Sequence, residues 1–385
     1  MEAWFKRNQS IFSYSFFILI SAVTLWLMFY AQAIIIPIVI SICICYIING
    51  ISDQIRKVKF GKYQIPNRVA LLITLILIIV GILLIARMFA QTVLSVAQDL
   101  PKIEQNINQL LVNIPERFLD LVNNTLGITL TREISSIFNS IFTVVEDSIF
   151  SRVSNFATQI AYFSTQTFIV VIYVIFISLE QGQFRRKLHF MYPNSQRHDE
   201  IEQIFKSINE QIQAYISVKT WVSFITGLAS FIVMYFFDLD NALFWAILIF
   251  LLNYIPYVGS IVAVAFPVLF SLAQFGSWFV FLGLLGLLLV VQIIVGYFLE
   301  PMIMGDNLGI SPFVVLVSLT IFNTIWGITG MLLAIPLVII IIITLSHFNT
   351  TRPIAILLSN DGRVYGVDVT QSPVQVGIEG LHAAD

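Results

Sequence analysis

Glu300 is the residue best placed to do chemistry in the apolar half of this chain. It follows the run Gln292-Ile-Ile-Val-Gly-Tyr-Phe-Leu and stands directly before Pro301. A carboxylate there has two readings: it sits at a solvated interface, or it faces a bundle interior and marks an ion or solute path. Pro301, Gly305 and Gly309 shape the loop that follows, which favours the second. Such an acid could alternate between a proton and a small cation if burial brought its pKa near the working pH. Asn253, Gln292 and Asn323 are uncharged polar groups inside apolar runs. Each could bind a solute or hydrogen-bond a neighbouring helix. Asp238 and Asp240 bracket a short turn and read as solvated.

Other chemistry is excluded by residue type and spacing. The chain has no phosphate-cradling Walker loop, no G-x-S-x-G, no dinucleotide fingerprint and no histidines at metal spacing. His189, His198, His347 and His382 lie outside the long apolar runs, and Cys43 and Cys45 read as buried small hydrophobes. The expectation is no enzyme, no cofactor, no metal and no nucleic-acid partner. Without an ATP site, energy must come from an ion gradient or from the solute gradient itself. From Thr220 to Thr351 there is no Lys or Arg. A strongly anionic substrate usually wants those residues, so a neutral polar solute or a cation fits better.

The elements that must hold these residues are membrane helices. Of 385 residues 58% are hydrophobic and only 11% charged, with mean hydropathy +0.90. A soluble domain carries about 25% charged residues. The fold class is an all-α polytopic membrane protein, with the lipid bilayer as its surroundings. About eight segments reach spanning length, at 11–30, 33–51, 69–90, 157–179, 218–237, 241–273, 278–299 and 311–346. The run from Ile11 to Tyr30 is too long for a signal peptide and reads as a retained first helix.

Basic residues orient them. Lys6 and Arg7, the cluster from Arg56 to Arg68, and the stretch from Arg185 to Lys219 fall on one side, the cytoplasm. Both termini are then cytoplasmic. Residues 1–68 form an N-terminal hairpin with a basic loop, and 69–90 a third segment. Residues 91–156 form an external helical insert, with apolar spacing at Ile103, Ile107 and Leu110 and with Pro101 and Pro115 as punctuation. After the fourth segment (157–179), residues 180–217 form cytoplasmic amphipathic helices, able to lie along the membrane or pack under the bundle. Residues 218–346 are a transport core, and 347–385 a polar tail with no assigned function.

Two segments of the core are too long for simple spans. At 1.5 Å per residue, 241–273 would make a helix of about 50 Å against a hydrocarbon core of about 30 Å. It contains Asn253-Tyr-Ile-Pro-Tyr-Val-Gly259 and Pro267; the segment 311–346 contains Asn323, Gly327, Gly330 and Pro336. Backbone freed by such breaks is tolerated only inside protein or along a watery cavity. If both breaks are re-entrant hairpins, the layout is the inverted repeat of a secondary transporter, with its site between them. Kinked spans fit the sequence as well.

Four motifs in order carry a family resemblance: Asn253-Tyr-Ile-Pro-Tyr-Val-Gly-Ser260, Leu299-Glu-Pro-Met-Ile-Met-Gly305, Gly309-Ile-Ser-Pro312, and Gly327-Ile-Thr-Gly-Met-Leu-Leu-Ala-Ile-Pro-Leu337. Over residues 10–346 the chain resembles the autoinducer-2 exporter (AI-2E) family of bacterial permeases. The resemblance implies export of small molecules across the bacterial plasma membrane by a homo-oligomer, with five copies as the candidate number. It singles out Pro256, Gly259, Glu300, Pro301, Gly305, Pro312, Gly327, Gly330 and Pro336. Where family members often carry a second proline after the glycine, this chain has Ser260. The leading expectation is a gradient-driven exporter of a small neutral polar solute, autoinducer-2 among the candidates. The alternatives are a sodium(lithium)/proton antiporter using Glu300, which the resemblance also implies, and a membrane scaffold that transports nothing.

Overall fold

A computed structural model of the chain describes residues 19–20, 22–57, 66–112, 156–191, 196–304, 309–348, 350–360 and 362. Among these the chain is helical, apart from short connections and one isolated antiparallel bridge between Ile310 and Ser359. Residues 22–30 are helical and lead through a turn at Ala31 into α1, Gln32–Lys57. Next come α2 (Asn67–Val112), α3 (Phe156–Met191) and α4 (Gln196–Phe236). Then follow α5 (Ala242–Leu252), α6 (Val258–Phe275) and α7 (Trp278–Ile293). A π turn (Ile294–Leu299) joins α7 to α8 (Glu300–Met304), and α9 (Pro312–Ser346) and α10 (Arg352–Leu358) complete the order.

The apolar runs are the helices, as hydropathy requires of a chain that must satisfy its own backbone in lipid. Six helices among the described residues are long and apolar enough to cross a membrane, and Thr165–Glu180 and Ala242–Leu252 are shorter apolar ones. They correspond to every expected segment except the first, at 11–30, of which residues 11–18 and 21 lie outside the described residues. The chain is a multi-pass membrane protein.

At three expected boundaries the helix runs on. Helix α2 runs 46 residues, about 69 Å, straight through Pro101. A single interior proline removes one hydrogen bond and bends a helix, but long flanking turns carry it across. The third membrane segment and the start of the insert are therefore one rod; the rest of the insert, 113–155, lies outside the described residues. Helix α4 runs 41 residues and carries the amphipathic face at Ile201–Ile208 directly into the apolar run. No Gly or Pro interrupts 199–226. Pro267 is buried inside α6 and does not break it.

The chain forms two compact units: residues 1–50, 168–217 and 304–385 in one, and 51–167 and 218–303 in the other. In the first, Ser41 donates to the Val170 carbonyl at 3.1 Å, and Cys45 lies against Val174, which joins α1 to α3. Leu333 and Ile343 of α9 are fully buried. In the second, Met234, Trp245, Ile249, Ala263, Val268 and Leu284 form the apolar core shared by α4, α5, α6 and α7. Helix α2 joins it through Phe89 on Phe244, ring centroids 5.7 Å apart. Further along α2, the Asn106 amide donates to the Ala273 and Gln274 carbonyls at 3.0 and 2.8 Å. Those are orphan carbonyls at the C-terminal end of α6, so the insert's first helix is pinned to the α6–α7 turn.

Candidate functional site

Segment 241–273 is a helical hairpin. Trp245, near the start of α5, stacks on Phe270, near the end of α6, at 5.3 Å. At the other end Gly259 presses on the Leu252 carbonyl. Helix α5 has 11 residues, about 16 Å, half of what a span needs. The choice between hairpin and kink is settled here in favour of the hairpin.

Its tip is built from strain and side-chain anchors. The Val258 amide bonds the Pro256 carbonyl at 2.6 Å, and Tyr257 between them has φ 60° and ψ −61°. That is a γ-turn of the rare, strained hand, in a conformation that non-glycine residues hold only when their surroundings enforce it. Ser260 donates to the Tyr257 carbonyl at 2.9 Å. Ser260 thus ties the strained residue by a hydroxyl. Gly259 is required by space: a Cβ there would overlap the Leu252 carbonyl oxygen. Asn253 is 6% exposed, and its amide donates to the Ser223 hydroxyl at 3.1 Å. The Tyr254 hydroxyl donates to Thr220 at 2.8 Å. Both partners lie on one turn of α4.

The same turn of α4 carries Lys219. Its side chain is 4% exposed, and its ammonium meets the Glu300 carboxylate at 2.5 Å. Glu300 closes the π turn, its own amide bonding the Val295 carbonyl five residues back. The next residue explains the widened turn: Pro301 has no N–H, and its ring crowds the carbonyl four residues earlier. Wide turns of this kind recur at functional sites. Within one unit, then, Lys219, Thr220, Ser223, Asn253, Tyr254 and Glu300 form a polar cluster whose two charges cancel. The Gln292 Nε2, the Ser230 Oγ and the Trp245 Nε1 of the same unit are buried with no hydrogen-bond partner among the described residues.

The other unit holds the second reversal. Helix α9 is interrupted at Gly327, with φ 61° and ψ −145°, a region essentially reserved for glycine. The chain folds back there. A Cβ on Gly330 would overlap the Phe322 carbonyl oxygen, although eight residues of continuous helix span about 12 Å. Trp326 anchors the bend, its indole N–H donating to the Met28 carbonyl at 2.9 Å. Pro336 is buried in the second arm, and Pro312 starts the first. Asn323 stays in the helix with an exposed side chain, so the break falls at Gly327 and not at Asn323.

The tail also has structure that the sequence reading missed. Helix α10 docks on the loop before α9. The Ser311 amide bonds the Leu358 carbonyl at 3.2 Å, and the Asn360 amide bonds the Gly309 carbonyl at 2.7 Å. Gly305 lies outside the described residues.

Of the residues singled out by sequence, the structure places Asn253, Pro256 and Gly259 at one tip and Glu300 and Pro301 beside the Lys219 turn. Gly327 and Gly330 form the second reversal. Lys219, Thr220, Ser223 and Tyr254 were missed. Lys219 had been grouped with the cytoplasmic basic residues, yet it is the last basic residue before a long basic-free stretch. With Ser223, Thr226 and Ser230 it makes a polar stripe at helical spacing, and that stripe was the available signal. No group of three His, Cys, Asp or Glu side chains among the described residues could hold a metal ion.

The model of the AI-2E family transporter matches residues 14–350. The chain belongs to the AI-2E family. The AI-2 transport protein TqsA of Escherichia coli (strain K12) is 27% identical over 331 residues, 86% of this chain and 91% of TqsA. A Haemophilus influenzae relative is also 27% identical, over 339 residues, with the same shares covered. YhhT of Escherichia coli (strain K12) is 32% identical over 190 residues, 49% of this chain and 53% of YhhT. The family match takes in both reversals and the polar cluster.

Proposed function

We propose that this AI-2E protein is a gradient-driven exporter of a small neutral polar solute, with autoinducer-2 the first candidate. It would work in the bacterial plasma membrane, as a homo-oligomer with both termini cytoplasmic. The observation that carries the reading is the charge-cancelled cluster at the hairpin tip. Its lone cation and lone anion occupy each other, and what remains are hydroxyl and amide groups. Such groups recognise hydroxyls and carbonyls and offer no free charge to an anion. The name of TqsA as an AI-2 transport protein supports the choice of first solute. Within the unit that holds this cluster, Asn253, Pro256, Gly259, Gln292, Glu300 and Pro301 are assigned to the path.

The test is reconstitution. Purified protein in liposomes loaded with autoinducer-2 should release it down an imposed gradient faster than empty liposomes. Vesicles that contain the protein but retain this and related neutral solutes under every gradient would refute the reading. Sodium(lithium)/proton exchange through Glu300 stands second, because a sodium ion would first have to displace the Lys219 ammonium. In everted vesicles it would appear as a sodium-triggered pH change that is lost in Glu300→Gln.

A further inference from the structure

We propose that Lys219 is the positioning residue of this site: by pairing with Glu300 it latches the end of the π turn to α4, and the hairpin tip is held closed on the same helical turn.

The argument starts from the cost of burial. A lysine ammonium taken almost wholly out of water is tolerated only when paired, and Lys219 is 3% exposed with Glu300 as its ion partner. The pair is also local to three other constraints. Thr220, the next residue, accepts from Tyr254, and Ser223, one turn on, accepts from Asn253. Four residues beyond Asn253 lies the strained γ-turn at Tyr257. On the far side of the pair, Glu300 terminates a π turn, whose hydrogen bonds span one residue more than those of an α-helix.

One turn of α4 therefore carries the attachments of the strained tip and of the widened turn, and among the described residues the charged attachment is the ion pair. A strained tip held through a single charged latch has a second state available when the latch opens. Two of the hydrogen-bonding side chains, Asn253 and Tyr254, belong to the tip itself, so opening the pair loosens the tip. Lys219 acts through Glu300 and through α4 in this scheme and need not touch the solute. The proposal rests on the transporter reading for its purpose, but its geometry can be tested without any solute.

The readout is accessibility of the tip. Ser260→Cys is introduced into the full-length chain with Cys43→Ser and Cys45→Ser, and its labelling rate by a water-soluble maleimide is measured in detergent. Lys219→Gln combined with Glu300→Gln removes the latch without leaving a lone buried charge. It should fold, shown by a thermal midpoint close to that of the parent, and label about tenfold faster. The exchanged pair, Lys219→Glu with Glu300→Lys, should return the rate to within about twofold of the parent. Parental labelling in the neutral double variant would overturn the proposal, and so would an exchanged pair that labels as fast as the neutral one. If labelling follows the pair while the parent releases no solute from liposomes, the exporter reading falls and the latch stands.

Discussion

Each of the long segments 241–273 and 311–346 reverses direction, at 253–258 between α5 and α6 and at Gly327 within α9, and the two reversals solve one packing problem by different chemistry. In each, the second arm opens with a glycine pressed on a carbonyl of the first arm: Gly259 on Leu252, Gly330 on Phe322. In each, a residue at positive φ lies two or three positions before that glycine. At Gly327 that residue is itself a glycine, and the conformation is close to free. At Tyr257 it is an aromatic residue held in a γ-turn, with Ser260, Asn253 and Tyr254 bonded around it. Among the described residues the second reversal has one anchor of that kind, Trp326 on Met28. Close approach is thus common to both, while stored strain belongs to the first alone. A loop that stores strain and is held by side chains can move when they let go; a relaxed glycine bend has no such reserve.

The comparison breaks most readily at the shared glycines. Gly259→Ala and Gly330→Ala should each prevent a stable fold, because the clash is with backbone and nearby side chains cannot yield. The loss should exceed the roughly 1–3 kcal/mol of ordinary overpacking, and detergent thermal unfolding or yield of monodisperse protein would measure it. Similar losses at the two sites would confirm the common contact; a mild effect at one would end the parallel.

Next in size is the latch that only the first reversal has. Lys219→Gln alone leaves Glu300 without its cation and should cost about 3 kcal/mol, at the low end for a broken buried pair because Glu300 is 23% exposed. Adding Glu300→Gln should recover most of that stability. Thermal midpoints of the two single variants and the double variant would give the coupling.

The residues at positive φ should respond with opposite signs. Gly327→Ala should destabilise by about 1–3 kcal/mol through strain alone, since space around it is open. Tyr257→Gly should stabilise, because relief of strain of that size outweighs the roughly 0.5–1 kcal/mol entropy cost of glycine. Transport by Tyr257→Gly should nevertheless fall, measured as solute release from liposomes. The smallest effect expected is from Ser260→Ala, about 0.5–1.5 kcal/mol for one lost hydrogen bond. It should appear as faster proteolysis or thiol labelling at the tip and leave the second reversal unchanged.

Much of this was legible in the residues. Apolar runs bounded by Gly, Pro and Asn predicted where helices lie, because a chain in lipid must bond its own backbone. Glu300 beside Pro301 was flagged by type and place, and the glycines at 259, 327 and 330 by their motifs. Boundaries were read less well. Pro101 and Pro267 look like breaks in a string of letters, yet neighbouring turns carry the helix through both. Asn323 looks like a turn-former and is an ordinary helical residue, because Gly327 four residues on provides the reversal.

By itself, then, the sequence determined the class of the molecule, its membrane segments, its family and the glycines its backbone cannot replace. Those follow from hydropathy, chain length and the absence of a Cβ, which are local properties. Tertiary structure alone decided that 241–273 is a hairpin and that the break in α9 folds the chain back. It also decided that the tail docks on the loop before α9, and that Lys219 belongs to Glu300, 81 positions away. Pairing of distant polar groups depends on which helix faces are brought together, and helical spacing names the face without naming its partner.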